Sequence, residues 1–359
     1  MPRKRAAISK DFPPVLSPAE KAYEAHISLL YSSTKTFDLL CLPVELFDII
    51  ISLFPDVLSI RPLKGTLLEN EYGQRGRVLR ALSRVSHAYR AVFLHKAWER
   101  LEAVVYDETR TSENWWMQLG RKLERVSNGL ANTPEVARHV RIATVNLSKY
   151  SSKTVLPAFA HCLERLPNLH TLQVVHASSS VSAGIHSTFR DIKLPQIRNV
   201  SMPSSARGIL SSCSEVRCVT CRDDDGGPLV WALRNACPKL EVLRGITPNA
   251  TTANRLASVA ALRKLEINAR KTYFEPYSPQ EWVETTIVTI RDLRNLRSLR
   301  TLIMWVDVEE RSDLKYPSKR KIEAARQALR ETAAPLPKLL VVRWCHTKGV
   351  VKEERINIE

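Results

Sequence analysis

The chain has 359 residues, 44% hydrophobic and 25% charged, enough apolar material for two or three domains' worth of core in an ordinary globular composition. Lys and Arg number 54 against 37 Asp and Glu, and the net charge of +17 favours acidic partners without naming them. No run approaches the roughly 18 consecutive apolar residues of a membrane helix, and the start MPRKRAAISK has no apolar signal core, so a cytoplasmic or nuclear protein with no membrane partner is expected.

Residues 1–16 carry Arg3, Lys4, Arg5 and Lys10 and then Pro13-Pro14, too polar and interrupted to fold alone, and are expected to form a basic disordered tail. Ser17-Pro18-Ala19-Glu20 is a capping box that opens a helix through Tyr23, His26, Leu29 and Leu30. In LPVELFDIIISLF, Leu42, Leu46, Ile49, Ile50 and Leu53 recur three and four apart behind Pro43, which predicts an amphipathic helix that buries this stripe. Val78, Leu82, Val85, Tyr89 and Val92 repeat at four and three, predicting a second helix packed on the first, with Trp98 closing its end. Val44, Phe47, Ile51 and Phe54 remain outside that packing, an apolar surplus of the kind that marks a partner.

This order of residues resembles the F-box, the module that docks a substrate receptor onto the Skp-type adaptor of a cullin-RING (SCF) ubiquitin ligase. Leu42-Pro43 with Glu45-Leu46 is similar to its opening "LP.EL", Ile49 and Leu53 to the following "I...L", Val85-Ser86 with Tyr89 to "V(C/S)...W", and Trp98 to the closing "LW". The resemblance implies adaptor docking through Leu42, Pro43, Leu46, Ile49, Leu53, Val85, Tyr89 and Trp98, within a helical module at 17–101. Two departures stand out: residues 55–76 are inserted between the halves, and Tyr89 replaces the commoner tryptophan. An inserted surface loop is cheap, since doubling a loop costs only about 0.6 kcal/mol.

Residues 102–136 read as a helical linker. Trp115, Trp116, Leu119 and Leu123 have helical spacing, and Thr133 is placed to cap a short helix at Pro134–Arg138. VRIATV then alternates as a strand, and the phrase NTPEVARHVRIATV is loosely similar to one that opens the receptor half of fungal F-box proteins. From 137 to 346 a repeat governs the chain. Seven segments turn at Pro or a small residue and then read apolar-x-x-apolar-x-apolar, with the first apolar position at Leu169, Ile197, Val216, Leu240, Leu262, Leu299 and Leu339. The first four of the six steps, 28, 19, 24 and 22 residues, lie near the roughly 20–29 of a leucine-rich repeat. Helical stretches separate them: one starts after Gly226-Gly227, one follows a Ser278-Pro279-Gln280-Glu281 box, and one carries Ile322, Ala325 and Leu329. The sequence resembles irregular leucine-rich-repeat receptors, although the asparagine that normally follows the strand is mostly missing. The expected fold is therefore α/β: an N-terminal helical F-box-like module, then an irregular leucine-rich-repeat solenoid of strand-helix units, then a C-terminal tail at 347–359.

Catalytic and metal chemistry find little purchase. Cys213, Cys218, Cys221 and Cys237, with Cys218-x-x-Cys221 among them, invite a zinc reading. The repeat register explains them more simply, because Cys213 and Cys237 occupy the slot filled by Leu166 and Leu194, and Cys221 aligns with Val174. Asp223-Asp224-Asp225 lacks the spaced ligands of a Ca²⁺ loop and reads as a solvated turn. His161, His170, His176 and His186 have no carboxylate or nucleophile at a motif spacing, and none of the 11 glycines stands in a phosphate-cradling loop. No cofactor, no metal and no enzymatic activity are expected.

In each repeat the residues flanking the second apolar position belong on the face opposite the core. That face carries Thr171 and Gln173, Thr220 and Arg222, Arg244, Lys264 and Glu266, Thr301 and Trp305, and Arg343. Gln173, Arg222, Arg244, Lys264, Trp305 and Arg343 are the expected substrate contacts, suited to an acidic or phosphorylated protein segment. The expected function is a non-catalytic SCF substrate receptor. The alternatives are an F-box scaffold outside ligase function, and a basic nucleic-acid-associated repeat protein suggested by Lys319-Arg320-Lys321, Arg326 and Arg330, although nucleic acid is not the expected partner.

Overall fold

The computed structural model describes residues 43–54, 71–104, 114–222, 226–247, 249–269, 279–307, 317–346 and 349–359. The expected basic tail, the Ser17 box, Leu42, residues 55–70 of the insertion, the Asp223–Asp225 turn and Ser278 lie outside the described residues. The chain divides into two compact units, Met1–Leu53 and Phe54–Glu359, rather than at 101, where the helical module was expected to end.

In the first unit, α1 (Val44–Ser52) starts behind Pro43, whose carbonyl accepts from the Leu46 and Phe47 amides. The buried face is the reverse of the expected one. Phe47 is 5% exposed, whereas Leu46, Ile49, Ile50 and Leu53 are 42%, 56%, 45% and 77% exposed. Periodicity locates stripes, but a helix apolar on nearly every side offers two, and spacing cannot choose between them.

The second unit contains α2 (Glu71–Leu82), α3 (His87–Trp98) and one sheet of ten described strands. These are β1 (Arg100–Ala103), β2 (Ile142–Leu147), β3 (Thr171–Ala177), β4 (Asn199–Met202), β5 (Cys218–Cys221), β6 (Val242–Ile246), β7 (Lys264–Asn268), β8 (Thr301–Asp307), β9 (Lys338–His346) and β10 (Gly349–Ile358). Spatial order equals chain order; β1 to β9 are parallel and β10 is antiparallel to β9. The returns are α4 (Trp115–Ala131) with α5 (Pro134–Ala137), α6 (Ser152–Glu164), α7 (Ser182–Phe189), a 3₁₀ stretch at Ser204–Ser212, α8 (Gly227–Ala236), α9 (Ala250–Leu256), α10 (Pro279–Asp292) and α11 (Pro317–Glu331). From α6 onward each return packs on the one before and the one after it, and α4 packs on α6.

One local device recurs before the strands. The amides of Leu169, Ile197, Val216, Leu240, Leu262 and Leu299 each donate to the carbonyl three residues back, at Leu166, Leu194, Cys213, Cys237, Val259 and Leu296. Both ends of each turn are buried, apart from 8% exposure at Val259. Behind the turns the second apolar position forms a continuous buried rung through Leu172, Val200, Val219, Leu243, Leu265 and Leu302. At roughly 1.5–3 kcal/mol per buried Leu or Val, such rungs supply the attraction that stacks units unable to cover their own apolar faces.

Several expectations need correction. The second helix is two: residues 83–85 turn, and the Ser86 hydroxyl caps α3 by accepting from the Tyr89 amide at 3.3 Å. Its buried apolar side chains are Leu79, Phe93 and Ala97, while Val78 and Val85 stand out to solvent. The sheet begins at Arg100, inside what was expected to be module and linker, because β1 is too short to show a period. Residues 349–358 form β10 instead of belonging to a tail. In the last repeat the register slips by two: Leu339 aligns with Thr301, and Leu340 and Val342 occupy the core slots beside Leu302 and Met304. Thr133 precedes its helix as expected, but its hydroxyl donates to the Gly129 carbonyl rather than capping. VRIATV does lead into a strand as expected, β2, all six of whose residues are buried.

Candidate binding surfaces

The face of the sheet opposite the returns carries the residues expected on it, in rungs fixed by the register. Val242, Lys264 and Thr301 align, and Thr220 aligns with Arg244. Asn268, Trp305, Arg343 and Glu353 form one further rung across β7 to β10. The chemistry concentrates at this last rung. Trp305 Nε1 donates to Glu266 Oε1 at 2.6 Å, and the Arg343 guanidinium lies 5.0 Å over the indole ring. Arg343 Nη1 is 3.6 Å from Glu266 Oε1, while its Nε donates to Glu353 Oε2 at 2.9 Å. Arg355 donates to the other Glu353 oxygen from both Nε and Nη2. Hydrogen bonds from Arg343 first and Arg355 second hold the Glu353 carboxyl below its ordinary range.

Two arginines therefore face two glutamates, and the rung is close to charge-balanced. Arg343, one of the expected substrate contacts, is engaged within the chain by Glu266, Glu353 and the Trp305 ring. Gln173, another of them, is 4% exposed, and its carboxamide oxygen accepts from the buried Thr144 hydroxyl at 3.0 Å. Arg244 is exposed, Lys264 and Arg222 are half-buried, and burial pushes the Arg222 pKa down. Arg244 and Lys264 both bear on the half-buried Cys218, whose thiol burial pushes up against their pull. The open face therefore offers a fixed indole at one end and a cationic pair, Arg244 and Lys264, on the neighbouring β6 and β7.

The residues of the F-box resemblance are distributed over both units. Pro43, Leu46, Ile49 and Leu53 are exposed on α1 and just before and after it. In the second unit Val85 is 65% exposed, Tyr89 sits half-buried with its ring 5.8 Å from that of Phe93, and Trp98 packs against the hydrophobic core. Trp98 thus anchors the end of α3 to the sheet's core.

The cysteines fall where the repeat puts them. Cys213, Cys221 and Cys237 are at most 1% exposed, and burial pushes the Cys237 thiol up to about 12 and the Cys213 thiol further. Cys218 and Cys221, three apart on one strand, point to opposite faces of the sheet and cannot close on one ion. Among the described residues no group of three or more His, Cys, Asp or Glu is arranged to hold a metal, and no helix is long and apolar enough to cross a membrane. No protein-family model matches the chain, and no curated protein matches its sequence.

Proposed function

We propose that this chain is a non-catalytic substrate receptor of an SCF-type ubiquitin ligase, docking on a Skp-type adaptor through its F-box-like residues and holding a protein substrate with the sheet unit. The observation that carries this reading is the exposed apolar face of α1, where Leu46, the last residue of the LP.EL motif, stands in water with Ile49 and Ile50, and with Leu53 just past the helix end. A folded helix that keeps three large aliphatic side chains in solvent, and a fourth at its C-cap, has apolar surface to spend on a partner, worth about 1.5–3 kcal/mol per buried Leu or Ile. The parallel strands in chain order, with the same turn before β3 to β8, support reading the sheet unit as leucine-rich-repeat-like. The mechanism would be proximity: a receptor that holds both adaptor and substrate raises the effective concentration of a substrate lysine near the loaded conjugating enzyme, and needs no active site of its own.

The test is affinity purification of the wild type beside Leu46→Asp, read by mass spectrometry. Leu46 is exposed, so the charge should leave the fold intact while adaptor and cullin disappear from the variant alone. Equal recovery of adaptor from both would remove the reading, and adaptor without any further partner would favour a scaffold role outside the ligase.

A further inference from the structure

The residues just before the parallel strands β2 to β8 form a rail that neither the repeat nor the docking motif calls for; before β1 the same line continues to Glu99, whose carbonyl accepts from the Arg141 amide at 2.9 Å and whose carboxylate is paired with Arg75. The amide of His170 donates to the Arg141 carbonyl, Arg198 to His170, Arg217 to Arg198, Glu241 to Arg217, Arg263 to Glu241 and Arg300 to Arg263, all at 2.8–3.0 Å. This chain of backbone bonds sets one residue per strand along the amino edge of the sheet, roughly 4.8 Å apart, so that Arg141 and Arg300 are about 29 Å from each other. Five of the seven are arginine and one is histidine, and all six are exposed. Among the described residues only Arg217 of the five arginines has a carboxylate within ion-pair distance, Glu241 at 3.4 Å. The rail is thus two cationic pairs, Arg141 with Arg198, which flank His170, and Arg263 with Arg300, separated by the paired Arg217 and Glu241.

We propose that this edge binds an extended acidic segment of a partner protein in which two clusters of carboxylates flank a neutral stretch. Forked guanidiniums grip carboxylates bidentately, and because the backbone that carries them is already hydrogen-bonded, the ordering cost falls on the side chains alone. The centres of the two groups lie about 4.5 strand spacings apart, which an extended peptide covers in six or seven residues. The pattern favours a peptide over a nucleic acid on two grounds. A uniformly charged phosphate backbone would set negative charge against Glu241 in mid-rail. The rail also lacks a Phe, Tyr or Trp on which bases could stack. The proposal does not rest on adaptor docking and survives if that reading fails.

The experiment uses the full chain and fluorescence anisotropy at low salt. The probe is a labelled peptide with three aspartates at each end of a Gly-Ser-Gly-Ser spacer; the comparisons are the same residues with the aspartates contiguous, and oligothymidylate of equal length. The split peptide should bind best, and more weakly as salt rises. The triple variant Arg198→Gln, Arg263→Gln, Arg300→Gln should lose about tenfold in affinity, while Arg222→Gln with Arg244→Gln, on the open face, should not change it. Circular dichroism checks that both variants fold. The proposal is overturned if the wild type does not bind the split peptide, if the rail variant binds it equally, if the open-face variant loses it instead, or if the contiguous peptide or oligothymidylate binds more tightly.

Discussion

Trp305 on β8 gives its indole N–H to Glu266 on β7 at 2.6 Å, while Arg343 on β9 lies over the same ring. Glu266 therefore serves three strands: it fixes the indole and offers Arg343 an ion partner at 3.6 Å. Glu266→Ala leaves the half-buried indole N–H without this acceptor and should destabilise the fold by about 1–3 kcal/mol. Glu266→Gln keeps an acceptor and should cost less. Urea unfolding followed by circular dichroism separates them; equal losses would mean that the charge facing Arg343, and not the indole bond, is what matters.

Gly245 occupies a bulge in β6 with φ +75°, where the register to β7 shifts between Leu243 and Ile246. A Cβ there would stand 2.5 Å from the Cys221 carbonyl oxygen, so the neighbouring strand must give way. Gly245→Ala should lower stability by roughly 2–3 kcal/mol, combining a left-handed backbone penalty with that clash. A thermal midpoint unchanged from wild type would show that the bulge relaxes.

Lys338 opens β9 and is 5% exposed, yet its ammonium is satisfied: Nζ donates to the carbonyls of Leu329, Arg330 and Thr332 at the end of α11. A helix ends with unpaired carbonyls and a negative dipole end, and this lysine answers both. Lys338→Met relieves the buried charge but strands the carbonyls, so a net loss of about 2 kcal/mol is expected in urea unfolding. Lys338→Arg, too wide for the same three acceptors, should not restore it.

Much of this was legible in the chain because the repeat writes the same turn and rung many times. Leu169, Ile197, Val216, Leu240, Leu262 and Leu299 are all buried in equivalent turns, and the residues beside the next apolar position do share the open face. What escaped had no period to betray it. β1 is four residues long, and β10 is paired through a reversal of direction that a parallel repeat does not announce. The slip at Leu339 arose because PLPKLLVV offers apolar residues at every phase. Face alone also cannot report pairing: Gln173 and Arg343 lie on the expected side, but one is buried against Thr144 and the other is taken by Glu266 and Glu353. The stripe on α1 failed differently, since Leu46 and Phe47 belong to two apolar faces of one helix.

Glu353 gives a pH dependence with a definite sign. Its pairing with Arg343 and Arg355 holds the folded-state carboxyl below the ordinary range, so the folded protein binds this proton less readily than the unfolded chain does. The contribution is fully present above the unfolded carboxylate pKa of about 4.3 and is lost as pH falls through the lower folded value. Glu215, held down by Lys239, and Glu331, held down chiefly by Gln327, act in the same direction. Stability should fall below about pH 4, and Glu353→Gln should flatten part of that fall. The pair is solvent-exposed, so added salt should shrink the difference; a Glu353→Gln profile parallel to wild type down to pH 2.5 would remove Glu353 from the account.

Cysteine reactivity tests the core reading of the thiols against a metal site. The thiolate is the reactive form, and burial both withholds it and blocks the reagent. Cys162 and Cys237, with thiols pushed up to about 12, and the buried Cys213 and Cys221 should stay unmodified by iodoacetamide in the native protein. Cys218, half-buried on the open face, should be the most reactive of these, although its own pKa is also raised. Peptide mapping by mass spectrometry reads each site separately, and unfolding in urea should level them. If Cys213, Cys218, Cys221 and Cys237 were instead protected as a set and released together by a chelator, the four would share an ion, and the opposed faces of Cys218 and Cys221 would have to be wrong. If Cys237 were alkylated as fast as Cys218, the turn that buries it between β5 and β6 would not hold in solution.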